Sequence, residues 1–239
     1  MNKKTFKAAF PHTLPVMAGY LFLGAAFGIL LQSKGYSPWW ALLMSVFIYA
    51  GSMQFLAVNL LAGGVSLIHA ALMTLMVNAR HLFYGLSMLD KYKDTGKLKP
   101  YLIFSLTDET YSLTATVPVP EGVSKKWFYF LISFLDQIYW IIGSILGAVL
   151  GSLITFDTGG IDFVMTALFV TIYVDQWLNT KDHRPALVGI LVSLICLIFL
   201  GADHFIIPAM IGITVVLSIM KTSISRKEKF NADSNQPIS

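Results

Sequence analysis

Charge is the scarcest ingredient of this chain. Only 13% of its 239 residues are Asp, Glu, Lys or Arg, where a soluble domain of ordinary composition carries about 25%. That shortage argues against a water-solvated globule, and the 56% hydrophobic content with a mean hydropathy of +0.68 points to lipid as the solvent. Cysteine is nearly missing as well: Cys196 stands alone inside an apolar run, so no intrachain disulfide can form. Signatures of catalysis are absent. There is no His-Glu-x-x-His, no Gly-x-Ser-x-Gly and no evident base for Cys196, so neither an enzyme, nor a cofactor, nor a metal site is expected. A repeated filter-like segment, which would suggest a channel, is also lacking. The basic start "MNKKTFKAAFPHTLP" is followed by an apolar run long enough to remain as a span rather than be cleaved as a signal peptide. The net charge of +4 is spread in short clusters between apolar runs, so the expected partner is a bilayer and not a nucleic acid.

What is present is a succession of apolar runs. A helix needs roughly 20 apolar residues to cross the hydrocarbon core, and about eight candidates occur, at 14–32, 39–61, 65–89, 101–117, 127–153, 161–179, 186–201 and 203–221. The expected fold is therefore all-α: a polytopic membrane protein of about eight transmembrane or re-entrant helices, one transmembrane domain over 1–221 and a polar, disordered tail over 222–239. "KGYSPWW", "LAGG", "VPVPEGVSKK" and "NTKDHRP" separate the runs. If all eight cross and the N-terminus is inside, Lys and Arg divide eleven inside to five outside, with Arg80 left within a span. That places both termini in the cytoplasm. The loop "DKYKDTGKLKP" dissents, because its four lysines fall outside. Were the second or third run and the fourth re-entrant, this loop would be cytoplasmic and the full crossings would number six.

Two stretches echo one another. Tyr20, Gly24 and Gly28 in "YLFLGAAFG" match Tyr139, Gly143 and Gly147 in "YWIIGSILG". Tyr49 with Gln54-Phe55 then matches Tyr173 with Gln176-Trp177. Glycines at every fourth position allow close helix approach, and the echo suggests related halves at 10–117 and 127–221.

Polar groups inside the runs carry the functional signal, because a charge near the bilayer centre costs on the order of 3 kcal/mol. Arg80, His81, Asp108, Glu109, Asp136 and Asp175 all lie within apolar stretches. Four carboxylates facing one assured cation favour transport coupled to protons or ions. On a regular helix Asn78 and His81 share one face, and Arg80 and Tyr84 another. An unwinding near "VNARH" would lift that restriction. In the run before, Gly51-Ser52 beside Gln54 marks a break or kink, with Ser45, Tyr49, Ser52 and Asn59 on one polar stripe.

"YAGSMQF", "VNARHLFYG" and "LTDETYSL", in that order and spacing, resemble the AzlC-type branched-chain amino acid permease family. The likeness is strongest over about residues 10–115 and looser afterwards, anchored by "DQIYW" and "GSILGAVLG". It implies a multi-pass protein of the bacterial inner membrane that exports branched-chain and other large neutral amino acids. It also implies a small AzlD-type membrane partner; a homo-oligomer is a further arrangement to consider. The matching motif positions are Gly51, Gln54, Asn78, Arg80, His81, Tyr84, Asp108 and Glu109.

A zwitterion with an apolar side chain needs a cation or helix N-terminus for its carboxylate, an acceptor for its ammonium, and an apolar pocket. The expected substrate-binding residues are Arg80, Tyr84, Asn78, Gln54, Tyr49 and Ser52, with Met53, Phe55 and Met76 shaping the pocket. Asp108, Glu109 and Asp136 are the expected proton-coupling groups. The competing reading is a structural membrane subunit of a transporter complex without its own substrate site, its buried charges serving assembly.

Overall fold

A computed structural model describes residues 3–153, 162–179, 182–201, 205–206 and 208–220. Several sequence expectations fall outside them: the tail 222–239, Lys181, Asp203-His204, and the side chains of Asp175 and Gln176. The described residues are almost entirely helical and contain no strand. They form α1 (Lys3–Ser33), α2 (Pro38–Phe47), α3 (Gly51–Ala62), α4 (Leu67–Val77), α5 (Ala79–Met88), a 3₁₀ turn (Lys93–Leu98), α6 (Lys99–Phe104), α7 (Asp108–Thr116), α8 (Lys125–Leu153), α9 (Asp162–Asn179), α10 (Arg184–Leu200) and α11 (Pro208–Met220). The chain divides into two compact units, Met1–Phe169 and Val170–Ser239.

The first unit is organised by α1 and α8, both long and apolar enough to cross a bilayer. They meet through the echoed glycines. A methyl group on Gly24 would stand 2.9 Å from the Trp140 carbonyl oxygen, and one on Gly143 2.8 Å from that of Leu21. Methyls on Gly28 and Gly147 would overlap the carbonyls of Ser144 and Ala25. Backbone therefore lies on backbone, an approach that only small residues permit. Leu21 lies beside Gly143, Ala25 beside Gly147 and Ile29 beside Gly151. The numbers rise together, so the two helices run parallel.

Around this pair the runs expected as single spans at 39–61, 65–89 and 101–117 are each broken in the middle. The first breaks at Ile48–Ala50, the second at Asn78 and the third at Ser105–Thr107. At the first and third breaks neighbouring side chains take up freed backbone groups, Gln137 on the Val46 carbonyl and Thr107 on the Thr110 N–H. Two of the broken segments are hairpins that return to the end they left. α2 and α3 pack in one apolar cluster, where Ala41, Met44, Phe55 and Val58 meet Phe27, Leu30 and Leu31 of α1. α6 and the loop after it pack in a second, where Leu102 and Leu106 meet Ala9, Phe128, Tyr129 and Ile132 near the starts of α1 and α8. At that same end Lys91 Nζ donates to the Ala115 carbonyl at 2.7 Å and stands over the Tyr129 ring. Partial burial, and secondarily Lys125, draw the Lys91 amine below its ordinary value. The break at Asn78, by contrast, lies within a segment that runs from the α3 end to the Tyr92 end.

This packing revises the lysine tally. Lys91, Lys93, Lys97 and Lys99 lie at the end where α1 and α8 begin, together with Lys3, Lys4, Lys7, Lys125 and Lys126. Only Lys34 is at the other end of this unit. The loop that dissented in the eight-crossing tally thus joins the majority.

In the second unit α10 buries no residue, and Gly212 of α11 packs near Val192. A cavity of about 640 Å³ is lined by Tyr173, Trp177, His183, Ser193, Ile213 and Leu217, with the Trp177 and His183 rings stacked at 4.0 Å. Bulky apolar side chains such as Leu67, Ile68, Phe22 and Phe199 stand exposed in both units, as a lipid-facing surface requires.

Candidate functional site

The three breaks come together beside the middles of α1 and α8. α3, α5 and α7 all start there, so three half-helices begin at one junction. Arg80, the second residue of α5, joins them. Its Nη1 stands 2.7 Å from Asp108 Oδ2, the first residue of α7. Its Nη2 donates to Ser52 Oγ of α3 at 2.8 Å. The regular-helix reading that set Asn78 and Arg80 on opposite faces does not hold, because Asn78 is itself the break, with φ −91° and ψ 3°. Its N–H closes α4 on Thr74, and its carbonyl accepts the His81 N–H at 2.9 Å.

The electrostatics of the junction are asymmetric. α7 is capped: Thr107 Oγ1 accepts the Thr110 N–H. Ala50 and Asn78, which precede α3 and α5, provide no side-chain cap. Helix starts carry free N–H groups and partial positive charge. A guanidinium at such a start adds to that charge and is disfavoured unless an anion is near. Asp108 supplies one, yet Arg80 Nε and Asp108 Oδ1 are buried without a protein partner, as are Asn78 Oδ1, the Tyr49 hydroxyl and Asp136 Oδ1. The Arg80 and Asp108 side chains remain 29% and 30% exposed, so the pair borders an opening. Glu109 is exposed, with its Oε2 held by the Tyr20 hydroxyl.

The other expected residues are distributed as follows. Tyr49 lies in the α2–α3 break with φ 43°, a left-handed conformation that non-glycine residues rarely adopt and that concentrates at functional sites. Its buried ring places the hydroxyl beside Thr110 and Asp136. Tyr84 stacks on Tyr111 at 4.3 Å and borders Asp108. Gln54 is fully buried and engaged on both sides, accepting from Trp140 Nε1 at 2.9 Å and donating to Ser45 Oγ at 3.4 Å. Phe55 sits against Phe27 in the core. Asp136, with no exposed surface, accepts from Thr110 Oγ1 at 2.8 Å. Gln137 spans from the Tyr101 hydroxyl to the Val46 carbonyl, which the end of α2 leaves free.

Sequence reasoning did not single out Tyr20, Thr107 and Thr110. The Tyr20 hydroxyl donates to Glu109 Oε2 at 2.7 Å and also contacts Thr107 Oγ1. Thr107 could have been found as a cap, since a Thr three residues before another polar side chain, followed by two acids, marks a helix start. Tyr20 reads from sequence only as part of the glycine-rich echo.

Broken helices around a buried charge, under a lipid-facing exterior, define a helical membrane protein. The chain belongs to the AzlC family: the family described as AzlC protein matches residues 15–154. It is similar to the "Branched-chain amino acid transport protein AzlC" of Bacillus subtilis (strain 168), 48% identical over 95% of this chain and 92% of the relative. It is also similar to an "Uncharacterized membrane protein" of Helicobacter pylori (strain ATCC 700392 / 26695), 43% identical over 92% of this chain and 97% of the relative. The "Inner membrane protein YgaZ" of Escherichia coli (strain K12) is 29% identical over 92% of this chain and 90% of its own length. No solved structure matches the chain.

Proposed function

We propose that this chain is a secondary transporter, not an enzyme, that exports branched-chain and other large neutral amino acids using the proton gradient. The observation that carries the reading is Arg80, held between the uncapped starts of α3 and α5 beside the middles of α1 and α8. A substrate carboxylate would find there a two-pronged guanidinium and free N–H groups. Transporters with discontinuous helices aim half-helix starts at anionic substrate groups in the same way. Asp108 or Glu109 would receive the ammonium, with Tyr49, Asn78, Ser52 and Tyr84 around the ligand. Gln54, already engaged by Trp140 and Ser45, would brace α3. The substrate class is supported by the printed name of the Bacillus relative.

In this reading α1, the α4–α5 pair, α8, α9, α10 and α11 make six crossings, while α2–α3 and α6–α7 are re-entrant from opposite sides. The lysine-rich end of the first unit is cytoplasmic by the positive-inside tendency. The protein resides in the bacterial inner membrane with both termini inside, works with a small AzlD-type subunit, and is able to self-associate. Proteoliposomes loaded with radiolabelled leucine test the function: the reading expects efflux that an imposed pH gradient accelerates. Absence of leucine movement, with and without the small partner, would favour the purely structural subunit instead.

A further inference from the structure

Resting on the proton-coupled reading above, we propose that Glu109 and Asp136 hold a single proton between them and exchange it through the hydroxyls of Tyr20, Thr107 and Thr110. Asp108 takes no part, being committed to Arg80.

The hydroxyls supply fewer hydrogens than their contacts require. Five oxygen-bearing groups form one chain: Glu109 Oε2 to the Tyr20 hydroxyl at 2.7 Å, Tyr20 to Thr107 Oγ1 at 2.5 Å, Thr107 to Thr110 Oγ1 at 3.1 Å, and Thr110 to Asp136 Oδ2 at 2.8 Å; the Thr110 N–H also donates to Thr107 Oγ1, whose second lone pair remains for the chain. Each link needs one hydrogen between its oxygens, and the links number four. The three hydroxyls bring one hydrogen each. If Thr110 donates to Asp136, Thr107 to Thr110 and Tyr20 to Glu109, the short Tyr20–Thr107 contact has no hydrogen and is repulsive. A fourth hydrogen on one carboxyl removes the conflict. With the proton on Glu109, the acid donates to Tyr20, Tyr20 to Thr107, Thr107 to Thr110 and Thr110 to an ionised Asp136. With the proton on Asp136, every donation reverses. Passing between the two states, each hydroxyl oxygen accepts one hydrogen and releases one, so one proton and one negative charge exchange ends and nothing else changes.

The surroundings give the chain a direction. Tyr20, Thr107, Thr110 and Asp136 are buried, whereas Glu109 is exposed. Glu109 is thus the open end and Asp136 the sealed end. The charged and titratable groups facing Glu109 are Tyr20 of α1, Tyr49, Arg80 of α5, its neighbour Asp108, and Asp136 of α8. Those facing Asp136 are Glu109, Tyr20, Tyr49 and Tyr101 of α6. Arg80 is the one cation in either set. A substrate carboxylate drawing Arg80 away from the acids would therefore favour the proton on Glu109.

Two measurements on the full chain test this separately from the function. Infrared difference spectra of purified protein at neutral pH should contain the carbonyl stretch of a protonated carboxylic acid. That band should persist in Asp108→Asn and be shifted or lost in Tyr20→Phe and Thr110→Val. A spectrum without the band, or one unchanged by both Tyr20→Phe and Thr110→Val, overturns the proposal whether or not leucine moves. In proteoliposomes the ratio of pH-driven leucine efflux to leucine counterflow should fall by about tenfold or more in Thr110→Val and return in Thr110→Ser, which restores the hydroxyl. A ratio unchanged in Thr110→Val, or equally low in Thr110→Ser, also overturns it. A wild-type chain that moves no leucine but carries the band sinks the transport reading and leaves the shared proton standing.

Discussion

Arg80 Nη1 lies 2.7 Å from Asp108 Oδ2, and the two residues open separate half-helices. The pair ties the α4–α5 segment to the hairpin α6–α7, and through Ser52 the same guanidinium ties in α2–α3. One side chain thus holds three breaks together. That geometry uses the planar fork of arginine, with different nitrogens on different partners.

Arg80→Lys is the sharper variant for this reason. It keeps the charge and loses the fork, so leucine efflux should fall by about tenfold or more. Transport assays on matched amounts of membrane-inserted protein read the effect. Efflux equal to wild type would mean that charge alone suffices and that the bridge to Ser52 is incidental.

The α1–α8 contact makes a prediction about size. Gly28→Val and Gly147→Val should each lower stability by roughly 1–3 kcal/mol or more, since the added atoms meet backbone that has nowhere to move. Gly19→Ala, with nothing within 4 Å of the added methyl, should leave stability unchanged or raise it. Thermal unfolding in detergent compares them. Equal melting temperatures across the series would contradict the close backbone contact.

Gln54 and Trp140 form a buried pair whose energetics are separable. Gln54→Leu leaves the Trp140 Nε1–H without its acceptor and should cost about 1–3 kcal/mol. Adding Trp140→Phe removes the stranded donor, so the double variant should lose less than the sum of the singles. Strict additivity in the same unfolding assay would show that the two are not coupled.

Topology is open to a direct test. In a Cys196→Ser background, cysteines at Lys97 and Glu121 should react with a membrane-impermeant thiol reagent from the cytoplasmic side, and one at Lys34 from the opposite side. Labelling of positions 97 and 34 from the same side would restore the eight-crossing arrangement.

The apolar segments were legible in the sequence, because a run of about 20 uncharged residues matches the thickness of the hydrocarbon core and is poorly accommodated in water. Arg80, Asp108, Glu109 and Asp136 stood out too, since charge in such runs is costly. The breaks were harder to see. An unbroken apolar run of this length fits one straight span or two half-helices equally well, and the hydrophobic pattern does not distinguish them. Only small cues marked them: Gly51-Ser52, the polar "VNARH" and the "TDET" in the middle of the run at 101–117. Re-entrance is harder still, being a property of where a hairpin's ends pack against α1 and α8. The four lysines of "DKYKDTGKLKP" were its one visible trace. Tyr20, Thr107 and Thr110 stayed hidden because a hydroxyl in an apolar helix usually bonds its own backbone, and only tertiary contact strings these three between two acids.

The most direct measurement is leucine efflux from proteoliposomes under an imposed pH gradient, comparing wild type with Arg80→Ala at equal insertion. The junction of half-helices predicts gradient-stimulated efflux in the wild type and its loss in Arg80→Ala. Full efflux in Arg80→Ala would contradict the assignment of this junction as the amino-acid site.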